Sequence, residues 1–275
     1  MKAVVFDSSI DVPVGYEFKV PVFMLPLNVY VDGKEYRDKV NITEEEFYSQ
    51  AILGKEVRTS LPNFSETVEL LTKLSKEYDH IYIVTISSKL SGTWNMIRLV
   101  LQQFDIKNAT LIDSKSGSVK SFYVVHRLIN DILNEIEISE DIFRKYIEES
   151  LLLFTVTSLD YLEKGGRIGK AKALLGKLLR IKPILSTDTD GQVHSTGSAR
   201  SMKHVIEIIA EQAKKFADFE KYVVVGGYGL KQMKEHLDRL LSFFPAGSLV
   251  GISRIGPAVS AHVGPEVFGL VIGKA

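Results

Sequence analysis

The sequence predicts an α/β fold in two parts. Residues 1–150 form an N-terminal three-layer α/β/α unit with a parallel sheet, and residues 151–275 form an α/β unit with a mixed sheet. Three observations predict this. Short apolar runs alternate with amphipathic stretches through the first 150 residues, the pattern of strand–helix–strand units with helices on both sheet faces. After a polar break at Glu137–Asp141 and one more helix, the rhythm changes, and Asp188-Thr189-Asp190-Gly191 marks a hairpin. The length, 275 residues with 45% hydrophobic and 25% charged side chains, suits one large or two smaller globular units with a substantial core.

The elements follow in order. Lys2–Phe6 is a compact strand ending at Asp7-Ser8-Ser9, and Phe23–Val31 reads as a second strand turned by Asp32-Gly33. Thr43 with Glu46 forms a capping box that opens a helix. Asn63 with Glu66, after Pro62, opens another, with Phe64, Val68, Leu71 and Leu74 at helical spacing. His80–Thr85 is a buried-type strand, Trp94–Phe104 a helix, Ala109–Ile112 a strand and Val119–Ile136 a long helix. Beyond 150, strands are expected near Leu152–Thr157, Ile181–Ser186, Gln192–Ser195, Lys221–Val225, Ser248–Ile252 and Val267–Ile272. Helices are expected near Ser201–Phe216 and Lys231–Phe243. The segment Arg254–Pro265, with two Gly-Pro pairs around His262, reads as a rigidly shaped loop.

Composition excludes several classes. There is no cysteine, which removes disulfides, thiolate nucleophiles and Cys-ligated metals and fits a reducing cytoplasm. An early acid, Asp7, argues against a signal peptide, and no run approaches the ~18 apolar residues of a membrane span. Net charge is zero, against a generally basic nucleic-acid binder. The zero is uneven, however: residues 1–150 carry 17 basic and 23 acidic side chains, residues 151–275 carry 17 and 11.

Four polar clusters stand where strands end: Asp7-Ser8-Ser9, Thr59-Ser60-Leu61-Pro62, Ser87–Thr93 and Asp113–Gly117. Hydroxyls and backbone N–H groups at helix starts suit a carboxylate or phosphate, although Ser and Thr also serve simply as caps and turns. From Lys164 to Lys182 there are seven cations and no acid (Lys164, Arg167, Lys170, Lys172, Lys177, Arg180, Lys182). That run reads as a phosphate site, a dock for an acidic protein, or a solvated surface. It fits neither a Walker loop nor a dinucleotide fingerprint. The six histidines show no metal-ligand spacing. A serine at a strand end with His262 is the alternative, a stand-alone serine esterase or small-molecule kinase, without the usual nucleophile elbow.

Five segments then occur in a distinctive order: Thr59-Ser60-Leu61-Pro62, Ser87-Ser88-x-Leu90-Ser91-Gly92-Thr93, Leu162-x-x-Gly165-Gly166-Arg167-Ile168, Lys182-Pro183-Ile184-Leu185 and His262-x-Gly264-Pro265. On these the chain resembles the DegV family of bacterial fatty-acid-binding proteins over essentially its whole length. The resemblance implies a DegV-like two-domain architecture with a long-chain fatty acid in a tunnel between the domains. It implies that the carboxylate meets Thr59, Ser60, Ser91 and Gly92, with Thr93 nearby. It further implies a carrier that is not catalytic alone and presents the carboxylate to a separate ATP-binding fatty acid kinase subunit. Arg167, Arg200 and His262 would dock that partner or stabilise the transferred phosphoryl group. No cofactor, metal or nucleic acid is implied. Three departures stand out: Asn63 where the family has Ser, Glu266 where it has Gly, and Gly226-Gly227-Tyr228 where it often has a His or Asp pair.

Overall fold

The computed structural model describes residues 1–51, 54–175, 181–217 and 221–275. In chain order the first part contains β1 (Lys2–Asp7), β2 (Val22–Leu25), β3 (Asn28–Val31), β4 (Lys34–Arg37), α1 (Glu44–Ala51), β5 (Val57–Ser60), α2 (Phe64–Glu77), β6 (His80–Thr85), α3 (Thr93–Gln103), β7 (Ala109–Asp113), α4 (Ser118–Leu133) and α5 (Glu140–Glu148). The second contains β8 (Ser150–Val156), α6 (Asp160–Lys164), a 3-10 turn (Gly169–Leu174), β9 (Lys182–Thr187), β10 (Val193–Ala199), α7 (Met202–Phe216), β11 (Tyr222–Tyr228), α8 (Lys231–Leu241), β12 (Leu249–Arg254), α9 (Pro257–Val263) and β13 (Val267–Lys274).

The expected α/β architecture is present. Strands β2-β1-β6-β7 form a parallel sheet. Strands β10-β9-β8-β13-β11-β12 form a mixed sheet in which only β11 and β12 run parallel. A small antiparallel sheet, β4-β3-β5, stands apart from both.

Period-two burial dictates the layering. Val5, Ile81 and Ile83 face Leu71 and Leu74 of α2 and Ile97 and Val100 of α3. Val4, Phe6, Tyr82 and Val84, on the opposite face, pack on α4. In β13, Val267 and Val271 join the α4 core, while Phe268, Leu270 and Ile272 face α7 and α8. Helix α4 therefore lies between two sheets and serves as a layer for both, which is why it is buried nearly all round from Ser118 to Val125.

Local signals hold where hydrogen bonds can be traced. The Thr43–Glu46 capping box forms reciprocally, with Thr43 N–H donating to Glu46 at 2.9 Å and Glu46 N–H to Thr43 Oγ1 at 3.2 Å. Asn63 Oδ1 accepts from Glu66 N at 3.1 Å. Asp32 and Gly33 both have positive φ (48° and 79°), as a tight hairpin turn requires.

Two expectations fail. The run Phe23–Val31 is two strands in two different sheets. Pro26 offers no N–H to a ladder, and Leu27 N–H leaves the sheet to donate to Ser8 Oγ at 2.9 Å. The segment Arg254–Pro265 contains helix α9 rather than a loop. Its Gly-Pro pairs are the helix's own boundaries: Gly256 is the N-cap, Pro257 sits in the first turn and Gly264 closes the end at φ 82°.

Candidate functional site

The parallel sheet brings three of the four polar clusters to one edge, because β1, β6 and β7 all end there. Most of these polar groups are occupied by the fold. Asp7 accepts from Ile86 N at 2.8 Å and Ser9 N at 3.0 Å, and burial pushes its carboxyl above the usual range. Asp113 Oδ1 accepts from Ser88 N at 3.2 Å and Lys115 N at 3.0 Å. Ser87 Oγ donates to Gly191 O at 2.9 Å, and Thr187 Oγ1 donates to Ser116 Oγ at 3.0 Å, both reaching the β9–β10 hairpin. These serines join the edge of one sheet to the other.

Beside that edge lies a cavity of about 750 Å³, including its mouth. Its floor is the mixed sheet (Leu152, Phe154, Gly227, Val267, Gly269). One wall is Ile86 and Val119, and the other is α9 through Ala258, Val259, His262 and Val263. Leu90, Leu162, Arg167, Thr187 and Val193 close it. The lining is almost wholly apolar. The ionisable groups on it are Arg167 and His262, and Ser118 and Thr187 are its hydroxyls.

His262 is the hinge between cavity and rim. Its Nε2 is 2.7 Å from Thr59 Oγ1, across from β5 of the small sheet. Its Nδ1 is buried without a hydrogen-bond partner, and Gly165 packs so closely that a Cβ there would stand 2.4 Å from that nitrogen. Burial, and secondarily the Arg167 charge, lower the imidazole to about 4, so the ring is neutral at pH 7. A serine–histidine–acid relay does not assemble among the described residues, since His262 pairs with a threonine and no carboxylate orients it.

Arg167 is placed by the turn at Gly166 (φ 71°). Its Nε donates to Leu90 O at 3.0 Å and its terminal nitrogen to Gly165 O, which pins the guanidinium at the cavity's edge. Leu90 leads directly to the expected head-group loop. There Ser91 Oγ and Thr93 Oγ1 are 2.9 Å apart, and Thr93 N donates to Ser91 Oγ at 3.3 Å. Gly92 is the N-cap of α3 and brings no side chain of its own to the helix start, where Ser91 Oγ accepts from the first N–H instead. Leu61 lies over Gly92, 3.5 Å from where a Cβ would be, so the Thr59–Pro62 and Leu90–Thr93 segments adjoin. Ser60 Oγ accepts from Asn28 Nδ2 at 3.3 Å.

The five expected head-group residues thus stand beside the cavity rather than in its lining. Thr59 reaches it through His262, and Ser91, Gly92 and Thr93 through Leu90. Arg200 is not brought to the cavity. It is exposed at the start of α7, which covers the opposite face of the mixed sheet. In the basic stretch Lys170 pairs with Asp188, Lys164 and Lys172 are exposed, and Lys177 and Arg180 lie outside the described residues. Glu266 is turned into its own contacts, accepting from Thr157 Oγ1 at 2.6 Å and Gln232 Nε2 at 2.9 Å.

Sequence reasoning missed the apolar lining, whose spacing is that of any core. Strand-interior Gly227 and Gly269 were the available signal. They are cross-strand partners on the cavity face. Among the described residues no cluster of His, Asp and Glu could hold a metal, and no helix is long and apolar enough to cross a membrane.

Fold and site together define an α/β protein whose sheets enclose an apolar cavity with a hydroxyl-bearing rim. The family described as "Uncharacterised protein, DegV family" matches residues 1–275. The DegV domain-containing protein SA1258 of Staphylococcus aureus (strain N315) is 32% identical over 276 residues, covering 98% of each chain. The chain belongs to the DegV family. Among solved structures it is similar to a fatty-acid-binding DegV family protein from Thermus thermophilus (TM-score 0.89, 28% identity, 100% and 99% of the two chains covered). It is also similar to a stearic-acid-binding protein from Eubacterium ventriosum (TM-score 0.88, 27% identity, 100% and 98% covered).

Proposed function

We propose that this protein binds a long-chain fatty acid, with the acyl chain in the cavity and the carboxylate at the rim formed by Thr59, Ser60, Ser91, Gly92 and Thr93. The observation that carries the reading is the near-absence of polar surface inside the cavity beside a rim of hydroxyls and a helix start whose N-cap is glycine. The fatty-acid binding of two similar proteins supports it. Each methylene transferred from water contributes roughly 0.8 kcal/mol, so ten contribute on the order of 8 kcal/mol before ordering costs. The head group then needs only a few oriented donors.

The protein acts as a cytoplasmic carrier, not catalytic alone, divided near residue 150 into a unit that supplies hydroxyl donors and a unit that supplies cations. A separate kinase subunit provides ATP. A carboxylate oxygen attacks the γ-phosphorus, ADP leaves and an acyl phosphate forms. Hydroxyl donors leave that oxygen free in a way a bidentate arginine would not. Arg167 and neutral His262 stand near the carboxylate, whereas exposed Arg200 and Lys164 suit docking the partner.

Mass spectrometry of lipids extracted from natively purified protein tests the binding step, with palmitate titration alongside. Co-purifying acyl chains and saturable binding are expected. Their joint absence overturns the reading. Acyl phosphate that forms from ATP without any second subunit would overturn the carrier role.

A further inference from the structure

We propose that Asp11 is a positioning residue for this site: its carboxylate ties the start of α9, the helix that carries His262, to the start of α4, the opposite wall of the cavity. The inference builds on the fatty-acid reading, but its deciding measurement does not depend on a ligand.

Asp11 follows the Asp7-Ser8-Ser9 turn and is 1% exposed. Its Oδ1 accepts from Gly256 N–H at 2.9 Å and from Lys39 Nζ at 2.7 Å. Its Oδ2 accepts from Ser118 Oγ at 2.6 Å, and its backbone carbonyl accepts from Ser253 Oγ at 2.9 Å. Gly256 is the N-cap of α9, and Ser118 is the first residue of α4 and part of the cavity lining. One carboxylate therefore holds both walls, its two oxygens assigned one to each. Lys39 matches its charge and donates also to Ile10 O at 2.9 Å, fixing Asp11 in turn.

The leverage follows from helix geometry. Helix α9 is seven residues long, about 10 Å of rigid rod. His262 lies near its far end, where the Thr59 bond closes the rim. A tilt about Gly256 is transmitted along the rod and opens the His262–Thr59 contact. There is little slack at the pivot, because a Cβ on Gly256 would stand 2.5 Å from Lys39 Cε. Tyr48 supports the flank of α9, donating to Ile255 O at 2.7 Å, but it does not bridge to α4.

The test is the titration of His262, followed by NMR in the full chain and assigned with His262→Gln. The wild-type ring is expected to titrate at about 4, held there mainly by burial. Asp11→Asn removes the charge, and Ser118→Gly removes the α4 half of the tie. Ser118 has φ 53°, so glycine suits its backbone and the Lys39 pair is kept even if Asp11→Asn fails to fold. Both variants should raise the His262 midpoint by about one unit or more toward its ordinary value as water reaches the ring. Ser253→Ala, which leaves the carboxylate's own bonds intact, should not move it. An unmoved midpoint in folded Ser118→Gly overturns the proposal. In the same variant palmitate should bind weaker, on the order of tenfold. Failure of the wild type to bind palmitate would count against the fatty-acid reading, while the titration alone decides the role of Asp11.

Discussion

Replacing Gly227 with valine probes the cavity most directly. Gly227 lies on the cavity face of β11, opposite Gly269 in β13. A Cβ there would be 3.0 Å from Val119 Cγ1 and 3.6 Å from Ile255 Cγ1. The valine branches therefore have no room toward α4 and extend along the cavity instead. Three added carbons displace about three methylenes of a bound chain; at roughly 0.8 kcal/mol each the loss is about 2.4 kcal/mol, or on the order of fiftyfold in Kd. The strand tolerates the change, since β11 already runs Tyr-Val-Val-Val and β-branched residues suit it. The tight contact with Val119 costs roughly 1–3 kcal/mol of stability. Displacement of a fluorescent fatty acid by palmitate measures the first quantity, and denaturant unfolding of the same sample the second. Gly226→Ala is the internal control. That position faces Leu237 and Leu241 on the other side of the sheet, so it should lose stability and keep palmitate affinity. A folded Gly227→Val protein that binds palmitate like the wild type would refute the placement of the chain.

Two other outcomes follow from single residues. Thr59→Val leaves His262 without its partner and removes a rim hydroxyl, so a free fatty acid should bind on the order of tenfold weaker while its methyl ester is little affected, by the same displacement assay; equal losses for both would count against a carboxylate at the rim. Lys120 on α4 is 4% exposed and donates to Ser150 O at 3.1 Å, its one acceptor among the described residues, and burial lowers its ammonium from 10.5 to about 8. The folded state thus penalises the charged form: the cost, about 3 kcal/mol, is full below about pH 8 and fades as pH rises to 10.5. Urea unfolding should show Lys120→Met more stable than wild type at pH 7, with the difference shrinking between pH 8 and 10.5. A pH-independent difference would contradict the assignment.

Much of this molecule is already determined by short stretches of its sequence. Strands and helices follow from periodicity, and the caps at Thr43 and Asn63 and the turn at Asp32-Gly33 need only residues within hydrogen-bonding reach along the chain. The family follows from five ordered segments, because their order and spacing survive without any three-dimensional information. The Phe23–Val31 run and the Gly-Pro pairs around His262 misled for one reason. Proline and glycine mark a boundary, but the chain beyond it can start another strand or a helix, and neighbours in space decide which.

Tertiary structure alone decided what the polar and apolar residues do. Ser87, Ser114 and Ser116 look like Ser91 in sequence, yet Ser87 and Ser116 are buried in joining the two sheets and Ser114 is buried against Ser121 of α4, while Ser91 stays at the rim. Arg167 and Arg200 are alike as cations, yet one closes the cavity and the other starts a helix on the far face. Val119, Leu152 and Val259 carry the same periodicity as any core residue. Whether an apolar face meets another apolar face or an open space depends on how closely two elements approach. That distance is set by residues far apart in sequence, here Gly227 against Val119 and Asp11 between Ser118 and Gly256.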